Sequence, residues 1–266
     1  MISDSEINRP NGLLMATPRI QSVDRAFRLL SELAGAPMGS RLGDLAARSG
    51  LSVATTHRIL ATLVANGAAI RTSRDGYRIG LRLHELAATV STEALLAAAA
   101  LPELRKLSAA CGLIVQIGVL SPDFMVTYLA KHQPARGPKL ATRMGSQLEA
   151  YCSGLGKALL SALPAELRQA YLSDAPFVAL TANTVTDPVQ LANELVTVVA
   201  QGFAVDDCEI YDRLRCVAVP IRRQGQTIAA ISCSGDVGTV TLQRVPLLAD
   251  QLHATAAVIV RKLFPS

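Results

Sequence analysis

Apolar residues recur at helical spacing from Ser22 onward and predict the first element of the chain. Gly35 and Pro37 follow the last of them and predict where this helix ends, because both residue types are common just beyond helix C-termini. The side chains expected to face inward lie three and four positions apart. They are Val23, Ala26, Phe27, Leu30, Leu33 and Ala34.

Two shorter helices are predicted next, separated by a tight turn. The first spans 42–49, and its small Ala46 lets the two helices cross closely. Gly50 occupies the turn, where a positive φ is expected. Ser52 is a favourable N-cap for the second of these helices, which ends at Asn66. The predicted buried stripe of this helix is Thr56, Ile59, Leu60 and Leu63.

A hairpin follows the third helix. Two short alternating runs, 69–72 and 77–79, flank Ser73-Arg74-Asp75-Gly76, and an Asp-Gly pair between such runs favours a hairpin. Three helices and a hairpin, in this order, predict a winged helix-turn-helix, in which the third helix enters the major groove. The residues predicted to contact DNA are Arg19, Arg41, Ser52, Val53, Ala54, Thr55, His57, Arg58, Arg71, Arg74 and Arg78.

Charge supports this interpretation. Residues 17–83 hold ten arginines and four acids, a net charge of +6, whereas the chain from residue 91 onward holds 15 bases and 14 acids. Every base in the first segment is arginine, whose planar fork suits phosphate and guanine edges. The alternative is a three-helix bundle with a hairpin that serves only as a protein–protein module. It requires the charge, the helix-turn-helix spacing and the polar outer face to coincide by chance.

The segment 81–111 is predicted to be helical and alanine-rich, with Pro102 marking a break or the first turn of a second helix. The alanine-rich face at 97–100 fits packing on the next domain or on a second subunit, and the sequence leaves both open. The apolar side chains expected inside are Leu83, Leu86, Val90, Leu95, Leu101 and Leu104.

The remaining half alternates between strand and helix patterns. Together they predict an antiparallel sheet flanked by helices, an α/β sensor-like domain, so the whole chain is expected to be of the α+β class. The predicted strands are 113–120, 124–130, 140–143, 203–205, 214–221 and 227–233, and the predicted helices are 154–163, 187–202 and 241–263.

Specific strings in both halves resemble the isocitrate lyase regulator (IclR) family of bacterial transcription factors. In the first half they are IQSVDRAFRLLSELA, GLSVATTHRILATLVANG and YRIGLRLHELA, and in the second MGSQLEAYCSGLGKALL, QGFAVDDCEIYDRLRCVAVPIR and AAISCSG. The resemblance implies a GAF-like second domain that binds an effector, and binding of double-stranded operator DNA as a homodimer or homotetramer. The expected organisation is a tail at 1–17, a DNA-binding domain at 18–82, a linker helix at 83–100 and an effector-binding and oligomerisation domain at 101–266.

The resemblance also implies which residues contact the effector. A small carboxylic acid fits them, because Ser153 opens a helix whose free N–H groups favour anions, and Ser232 and Ser234 share one face of a strand. Cys216 is expected to line the pocket rather than act as a nucleophile, and Lys157 is expected to form a salt bridge. The candidate effector-binding residues are Gly145, Ser146, Gly154, Leu155, Asp206, Glu209, Cys216, Ser232 and Ser234.

The chain departs from the family pattern at three places. Cys208 stands where relatives carry an acid, Glu149 where proline is usual, and Asp212-Arg213 where small residues are usual. The first two put the polar contacts of the pocket in question. The third alters the loop that leads to Cys216.

Composition excludes several other classes. Five cysteines without a C-x-x-C pair argue against a disulfide framework and favour a reducing cytoplasm. The histidines are too far apart in sequence for a metal site, and no cofactor motif is present, so neither metal nor cofactor is expected. An eight-residue apolar run at 94–101 is too short to span a bilayer, and the first ten residues do not form a secretory signal.

The leading hypothesis is therefore a ligand-responsive, DNA-binding regulator of a catabolic operon, with a small organic acid, such as an aromatic one, as effector. The alternative is a hydrolase or isomerase with an accessory DNA-binding head. It is disfavoured because His132 and His253 have no nucleophile or metal motif near them in the sequence. The protein is expected not to be an enzyme.

Overall fold

The first helix shows which of its faces the chain buries. In a computed structural model that describes residues 19–72, 76–134, 142–174 and 176–265, α1 spans Gln21–Ala34 and buries Leu29 and Leu33. The predicted stripe was wrong for Val23, Phe27 and Ala34, which are all exposed, Phe27 by 67%. Ala26, Leu30 and Leu33 belong to both the predicted and the buried stripe, and the core lies on the Leu29 side of them.

The helix-turn-helix is confirmed residue by residue. Helix α2 spans Leu42–Ser49 and ends at Gly50, whose φ of 65° is the left-handed conformation that glycine adopts at no steric cost. Helix α3 spans Val53–Ala65, and the hydroxyl of its N-cap, Ser52, accepts a hydrogen bond from the Thr55 N–H. These helices pack with α1 on Leu29, Leu33, Leu45, Leu60 and Leu63.

The wing is a sheet of three strands. Strands β2 (Ala69–Arg71) and β3 (Gly76–Ile79) form the predicted hairpin. A strand that the sequence did not predict, β1 (Ser40–Arg41), pairs with the other edge of β3. Two residues are too few to show an alternating pattern, so no sequence signal marks β1. Residues 73–75 of the predicted wing tip, which include Arg74, lie outside the described residues, and Gly76 is the first residue of β3.

The predicted linker helix at 83–100 is not one helix. Helix α4 spans Leu81–Ala88. Helix α5 spans Thr92–Cys111. Its N-cap is Ser91, whose hydroxyl accepts a hydrogen bond from the Ala94 N–H. Pro102 lies inside α5, so the break falls at 89–91 rather than at the proline. The missed signal was the N-cap serine. The chain divides into two compact units at this break, 1–90 and 91–266.

The expected interior positions of this segment were correct only in part. Leu104 is fully buried, whereas Leu86, Val90 and Leu95 are about half exposed. Helix α5 instead buries the face that carries Leu96, Ala100, Leu104, Leu107 and Cys111.

The second unit is built on a six-stranded antiparallel sheet in the order β6-β5-β4-β9-β8-β7. The predicted strand at 140–143 was wrong where it can be checked, because Thr142 and Arg143 are not in a strand, and β6 begins four residues later. Residues 140 and 141 lie outside the described chain. The strands are β4 (Ile114–Leu120), β5 (Met125–His132), β6 (Gln147–Glu149), β7 (Ala204–Asp207), β8 (Leu214–Arg223) and β9 (Gln226–Asp236).

Helices cover both faces of this sheet. Helices α5 and α9 (Val245–Leu263) pack on one face, against a core that includes Val115, Val217 and Ile231. Three helices pack on the other face, where Tyr128, Ala218 and Ala230 join the second core. They are α6 (Gly154–Leu160), α7 (Ala165–Ser173), which the sequence did not predict, and α8 (Pro188–Gln201). Across the described ranges, no helix is both long enough and apolar enough to cross a membrane.

Candidate functional site

The outer face of α3 presents the residues predicted to meet DNA. Val53, Ala54, His57 and Arg58 are exposed, whereas Thr55 is half-buried and its hydroxyl accepts a hydrogen bond from the Ser52 hydroxyl. The helix therefore offers an apolar contact, a ring nitrogen and a guanidinium from its first two turns. These are groups that can bind base edges in a major groove.

A groove between α1 and α3 extends this face. It has a volume of about 280 Å³ and contains two guanidinium groups, from Arg25 and Arg58. Arg25 was not among the predicted DNA-binding residues. It belongs to α1 and lies 27 residues before Ser52, the N-cap of α3, so the sequence does not show that the two are close. The full lining is Ser22, Arg25, Thr55, Arg58, Ile59 and Thr62.

The other predicted arginines occupy different environments. Arg41 and Arg78 are exposed on neighbouring strands of the wing. The Arg71 guanidinium carbon lies 5.9 Å from the centroid of the Tyr77 ring. Arg19 forms an exposed ion pair with Asp24 at 2.9 Å.

Two further arginines form contacts within the first unit. Arg28 donates to the backbone oxygen of Ser49, and Arg48 pairs with Glu32 at 2.8 Å. Both contacts join segments that are distant in sequence. The basic charge counted in the sequence therefore divides between structural arginines and those on the α3 and wing surface.

The second unit contains a narrow cavity on the α6 side of its sheet. Its volume of about 20 Å³ is close to the space that one water molecule needs. The lining residues are Gln116, Tyr128, Thr142, Leu148, Ser153, Gly154, Leu155, Asp206, Ile210, Tyr211, Leu214, Cys216, Ser232 and Ser234.

Six of the nine predicted effector residues lie in this lining: Gly154, Leu155, Asp206, Cys216, Ser232 and Ser234. Three do not. Gly145 and Ser146 lie in the turn before β6, where the Ser146 hydroxyl bonds to the backbone of Arg143. Glu209 is buried outside the lining and forms an ion pair.

Strand register explains how residues distant in sequence meet at this cavity. Cys216 pairs with Asp206 of β7 on one side and with Ser234 of β9 on the other, so these side chains point to the same face. Ser232 pairs in the same way with Gln116 of β4. Two adjacent rows of the sheet therefore supply the polar floor of the cavity.

The sequence did not single out Gln116, although its strand carries a signal. It is the one polar side chain in the strand Ile-Val-Gln-Ile-Gly-Val-Leu and is almost completely buried. Its amide donates to the Thr142 hydroxyl at 2.7 Å. The other lining residues that were not among the nine predicted effector contacts are Tyr128, Thr142, Leu148, Ser153, Ile210, Tyr211 and Leu214.

Burial controls the protonation of the cavity floor. Desolvation raises the pKa of Asp206 to about 7, against the opposing effect of its hydrogen bond from Glu209 N–H. Desolvation also raises the pKa of Cys216 to about 12, so its sulfur is a thiol at neutral pH. A thiol in this state is a poor nucleophile, in agreement with a lining role for Cys216.

A buried cluster of charges lies beside the cavity. Lys157 of α6 has no exposed surface and pairs with Glu209 and, at 2.7 Å, with Glu194 of α8. The expected salt bridge of Lys157 is thus confirmed, with two partners. Burial raises the pKa of Glu209, and the neighbouring ammonium of Lys157 opposes that shift.

Helix α6 is too short and too well bonded to supply an anion site by its N-terminus alone. It has seven residues, and the Ser153 hydroxyl already accepts the hydrogen bond of Gly156 N–H. The carboxylate site expected there from the sequence thus depends on the side chains around it. No group of three or more His, Cys, Asp or Glu side chains suited to a metal ion occurs in the portion of the chain that the structure describes.

Two family profiles match the two units. The profile of the IclR helix-turn-helix domain matches residues 22–72. The profile of the C-terminal domain of the bacterial transcriptional regulator IclR matches residues 88–261, more than half of the chain. The chain belongs to the IclR family of bacterial transcriptional regulators. The resemblance noted in the sequence is confirmed, and this IclR-family chain is a transcriptional regulator, not an enzyme.

Characterised relatives agree with this assignment. The regulator is 30% identical to the HTH-type transcriptional regulator BhcR of Paracoccus denitrificans over 240 residues, 89% of this chain and 85% of BhcR. It is also 30% identical to the transcriptional repressor IclR of Escherichia coli over 233 residues, 86% of this chain and 85% of the repressor. The α+β class with an N-terminal helix-turn-helix is confirmed.

A solved structure shows the same fold with a ligand. This IclR-family regulator superimposes with a TM-score of 0.62 on an IclR homolog from Microbacterium hydrocarbonoxydans in complex with 4-hydroxybenzoate. The two are 26% identical, and the match covers 92% of this chain and 100% of the homolog. The GAF-like description of the second unit stays a prediction.

Proposed function

We propose that the regulator binds double-stranded operator DNA through α3 and the wing, and that a small organic acid in the cavity beside α6 changes its affinity for DNA. The observation that carries the proposal is the separation of two surfaces. An exposed face with Arg58 and His57 lies in one unit, and a buried polar cavity lies in the other.

The DNA-binding surface is proposed to combine base contacts and phosphate contacts. Val53, Ala54, Thr55, His57 and Arg58 lie on the first two turns of α3, which enter the major groove in this motif. The remaining predicted residues, Arg19, Arg41, Ser52, Arg71, Arg74 and Arg78, are proposed to contact the backbone, together with Arg25 in the groove between α1 and α3.

The effector is proposed to be a small carboxylic acid. Support comes from the homolog that binds 4-hydroxybenzoate and from a floor that combines a carboxyl group, two hydroxyl groups and an amide. A cavity of about 20 Å³ is too small for such a ligand. Binding therefore requires the lining to move, and a ligand that favours the open arrangement shifts the population toward it. The genes controlled are proposed to serve the breakdown of that acid.

A homodimer or homotetramer is proposed as the functional assembly in the cytoplasm. Helix α1 leaves Val23 and Phe27 exposed beside a basic surface, and α4 leaves Leu81 and Leu86 exposed. Val23 and Phe27 lie one helical turn apart on α1 and so adjoin each other, and adjoining exposed apolar side chains can form a protein contact. Replacing Phe27 with serine should shift the protein to a smaller mass in light scattering if α1 forms the contact.

The test is fluorescence anisotropy of the full chain on its own upstream DNA at low ionic strength, with and without a panel of carboxylic acids that includes 4-hydroxybenzoate. Specific binding that an acid strengthens or weakens is expected, and thermal shift should show the same acid binding to the folded chain. A chain that ignores this DNA under all these conditions would refute the proposal.

A further inference from the structure

The cavity has two walls that face each other, and a buried ion pair joins them. Helix α6 supplies Gly154 and Leu155 to one wall. The segment 206–214 supplies the other, through Ile210, Tyr211 and Leu214, and begins at Asp206 of the floor. Lys157 belongs to α6 and Glu209 to the segment, and their side chains meet behind the lining.

The α6 wall cannot move without disturbing its neighbours. A Cβ added to Gly156 would lie 2.1 Å from the backbone oxygen of Ala150, and one added to Gly154 would lie 2.9 Å from Cys216 Sγ. Both distances are far below van der Waals contact. The backbone of α6 therefore packs directly on the segment before it and on β8.

The facing wall is held differently. Cys208 and Arg213 both adopt left-handed φ angles, 64° and 63°, which are unfavourable for residues other than glycine. Such conformations persist where surrounding contacts impose them. The hydroxyls of Thr181 and Thr184 each donate, at 2.7 Å, to the backbone oxygens of Cys208 and Glu209 respectively.

These hydroxyl contacts fix the outer side of segment 206–214, and the Lys157–Glu209 pair fixes its distance from α6. Glu209 also connects directly to the lining, because its backbone N–H donates to the Asp206 carboxyl at 2.8 Å. A change in the position of Glu209 is thus passed to Asp206 by one hydrogen bond.

We infer that the Lys157–Glu209 ion pair is a positioning pair that sets the width of the effector cavity and thereby selects ligands by size. This inference rests on the proposed effector function of the cavity. A buried ion pair usually adds little net stability relative to an apolar pair of the same volume. Its consequence here is geometric, since a charged hydrogen bond of fixed length spans the two walls.

Amide hydrogen exchange of the full chain tests the positioning role without a ligand. The double variant Lys157→Met with Glu209→Met removes both members of the buried pair and leaves Glu194, whose side chain is 30% exposed, without its Lys157 partner. Amides of 207–214 should then exchange at least about tenfold faster, while those of β8 beyond Leu214 and those of β9 stay unchanged. The control is Glu194→Gln, which keeps the Lys157–Glu209 pair and should leave 207–214 at the wild-type rate.

Ligand size supplies a second readout, which a merely structural role would not move. Calorimetry with acetate and with 4-hydroxybenzoate gives a ratio of Kd values for each variant. Relative to wild type, the double variant should favour 4-hydroxybenzoate over acetate by at least about fivefold. This factor corresponds to about 1 kcal/mol less work to widen the cavity for the larger acid.

Unchanged exchange at 207–214 would overturn the inference. So would equal loss of affinity for both acids, or a wild-type chain that binds neither. The proposal that the chain binds operator DNA is tested separately, because anisotropy measures DNA binding by the wild-type chain without ligand. The positioning role can therefore fail while DNA binding persists.

Discussion

The two units place their polar groups in opposite ways. In the first unit, the groups proposed to contact DNA are exposed on a small apolar core, with His57 and Arg58 in solvent. In the second unit, the polar floor of the cavity is buried, and Asp206, Ser232 and Ser234 are each at most 2% exposed. Exposed groups keep their hydration until DNA replaces it. Buried groups need partners within the protein, because an unpaired buried polar group is costly.

In the second unit, a change to a functional residue therefore also disturbs the fold. In the first unit, the functional residues can change with little effect on the fold. Side chains on the outer face of α3 can change without altering Leu60 or Leu63 beneath them. A change to Asp206 alters a hydrogen bond to Glu209 and, through it, a cluster of buried charges.

The largest effect is expected for Leu60→Ala. Leu60 is completely buried in the core of the first unit, and truncation of a buried leucine costs about 2–5 kcal/mol of unfolding free energy. This core is small, so the cost should abolish DNA binding. Calorimetry should show a lower transition temperature for the first unit, with the transition of the second unit unchanged.

The matched control for that experiment is Leu195→Ala, a completely buried leucine of α8 in the second unit. Leu195→Ala should lower the transition temperature of the second unit and weaken ligand binding, while binding to DNA in the absence of ligand persists. If either variant moves both transitions together, the two units unfold as one and the contrast between them fails.

The next effect concerns the stability of the second unit against pH. Folding raises the pKa of Asp206 from 3.8 to about 7, so its contribution to stability is complete below pH 3.8 and is lost as pH rises toward 7. Asp206→Asn removes this loss, because asparagine does not ionise. The free energy of unfolding of the variant minus that of wild type should be roughly 2–4 kcal/mol larger at about pH 8 than at about pH 4, measured by urea unfolding.

Asp236 provides a control with the opposite sign. Its pKa is lowered, chiefly by the hydrogen bond from Gly238 N–H, so its contribution is present above the unfolded pKa and is lost as pH falls. Asp236→Asn should therefore be destabilising at neutral pH and neutral in acid. The same pH dependence for both variants would contradict the buried, desolvated state of Asp206.

The contrast also explains what the sequence could and could not predict. The helix-turn-helix followed from local signals, since Gly50 marks a left-handed turn and Ser52 an N-cap, and both are satisfied within a few residues. Strand β1 was not predicted because two residues show no period and its partner β3 lies far along the chain. Helix α7 has no side-chain N-cap that would mark its start. Phe27 and Leu86 were predicted to be buried, yet both are exposed. The spacing of apolar residues indicates which face of a helix is apolar, but it does not indicate whether the same chain covers that face.

The cavity lining was only partly predictable for a similar reason. Ser232 and Ser234 share a strand face by simple alternation. The meeting of Gln116 with Ser232, and of Asp206 with Cys216, depends on a register between strands that are far apart in sequence. Glu209 lies on a segment with left-handed residues, so no regular period indicates which way it faces.

A smaller effect is expected at the DNA surface. Arg58→Ala should weaken specific operator binding by roughly 1–3 kcal/mol more than non-specific binding if the guanidinium contacts a base edge. The fold should be unaffected, because Arg58 is exposed. The control is Arg48→Ala, which removes a guanidinium paired with Glu32 instead. Equal loss on specific and non-specific DNA would assign Arg58 to a phosphate.

The smallest effect separates DNA contact from surface pairing at Arg19. Its ion pair with Asp24 is exposed, and water and salt screen such pairs so that they contribute little to stability. Arg19→Gln should therefore leave the melting temperature almost unchanged. If Arg19 contacts a phosphate, the slope of log K against log salt should fall by about 0.9, and Asp24→Asn should strengthen DNA binding by releasing the guanidinium. Unchanged slopes in both variants would remove Arg19 from the interface and confine the contact surface to α3, the groove beside it and the wing.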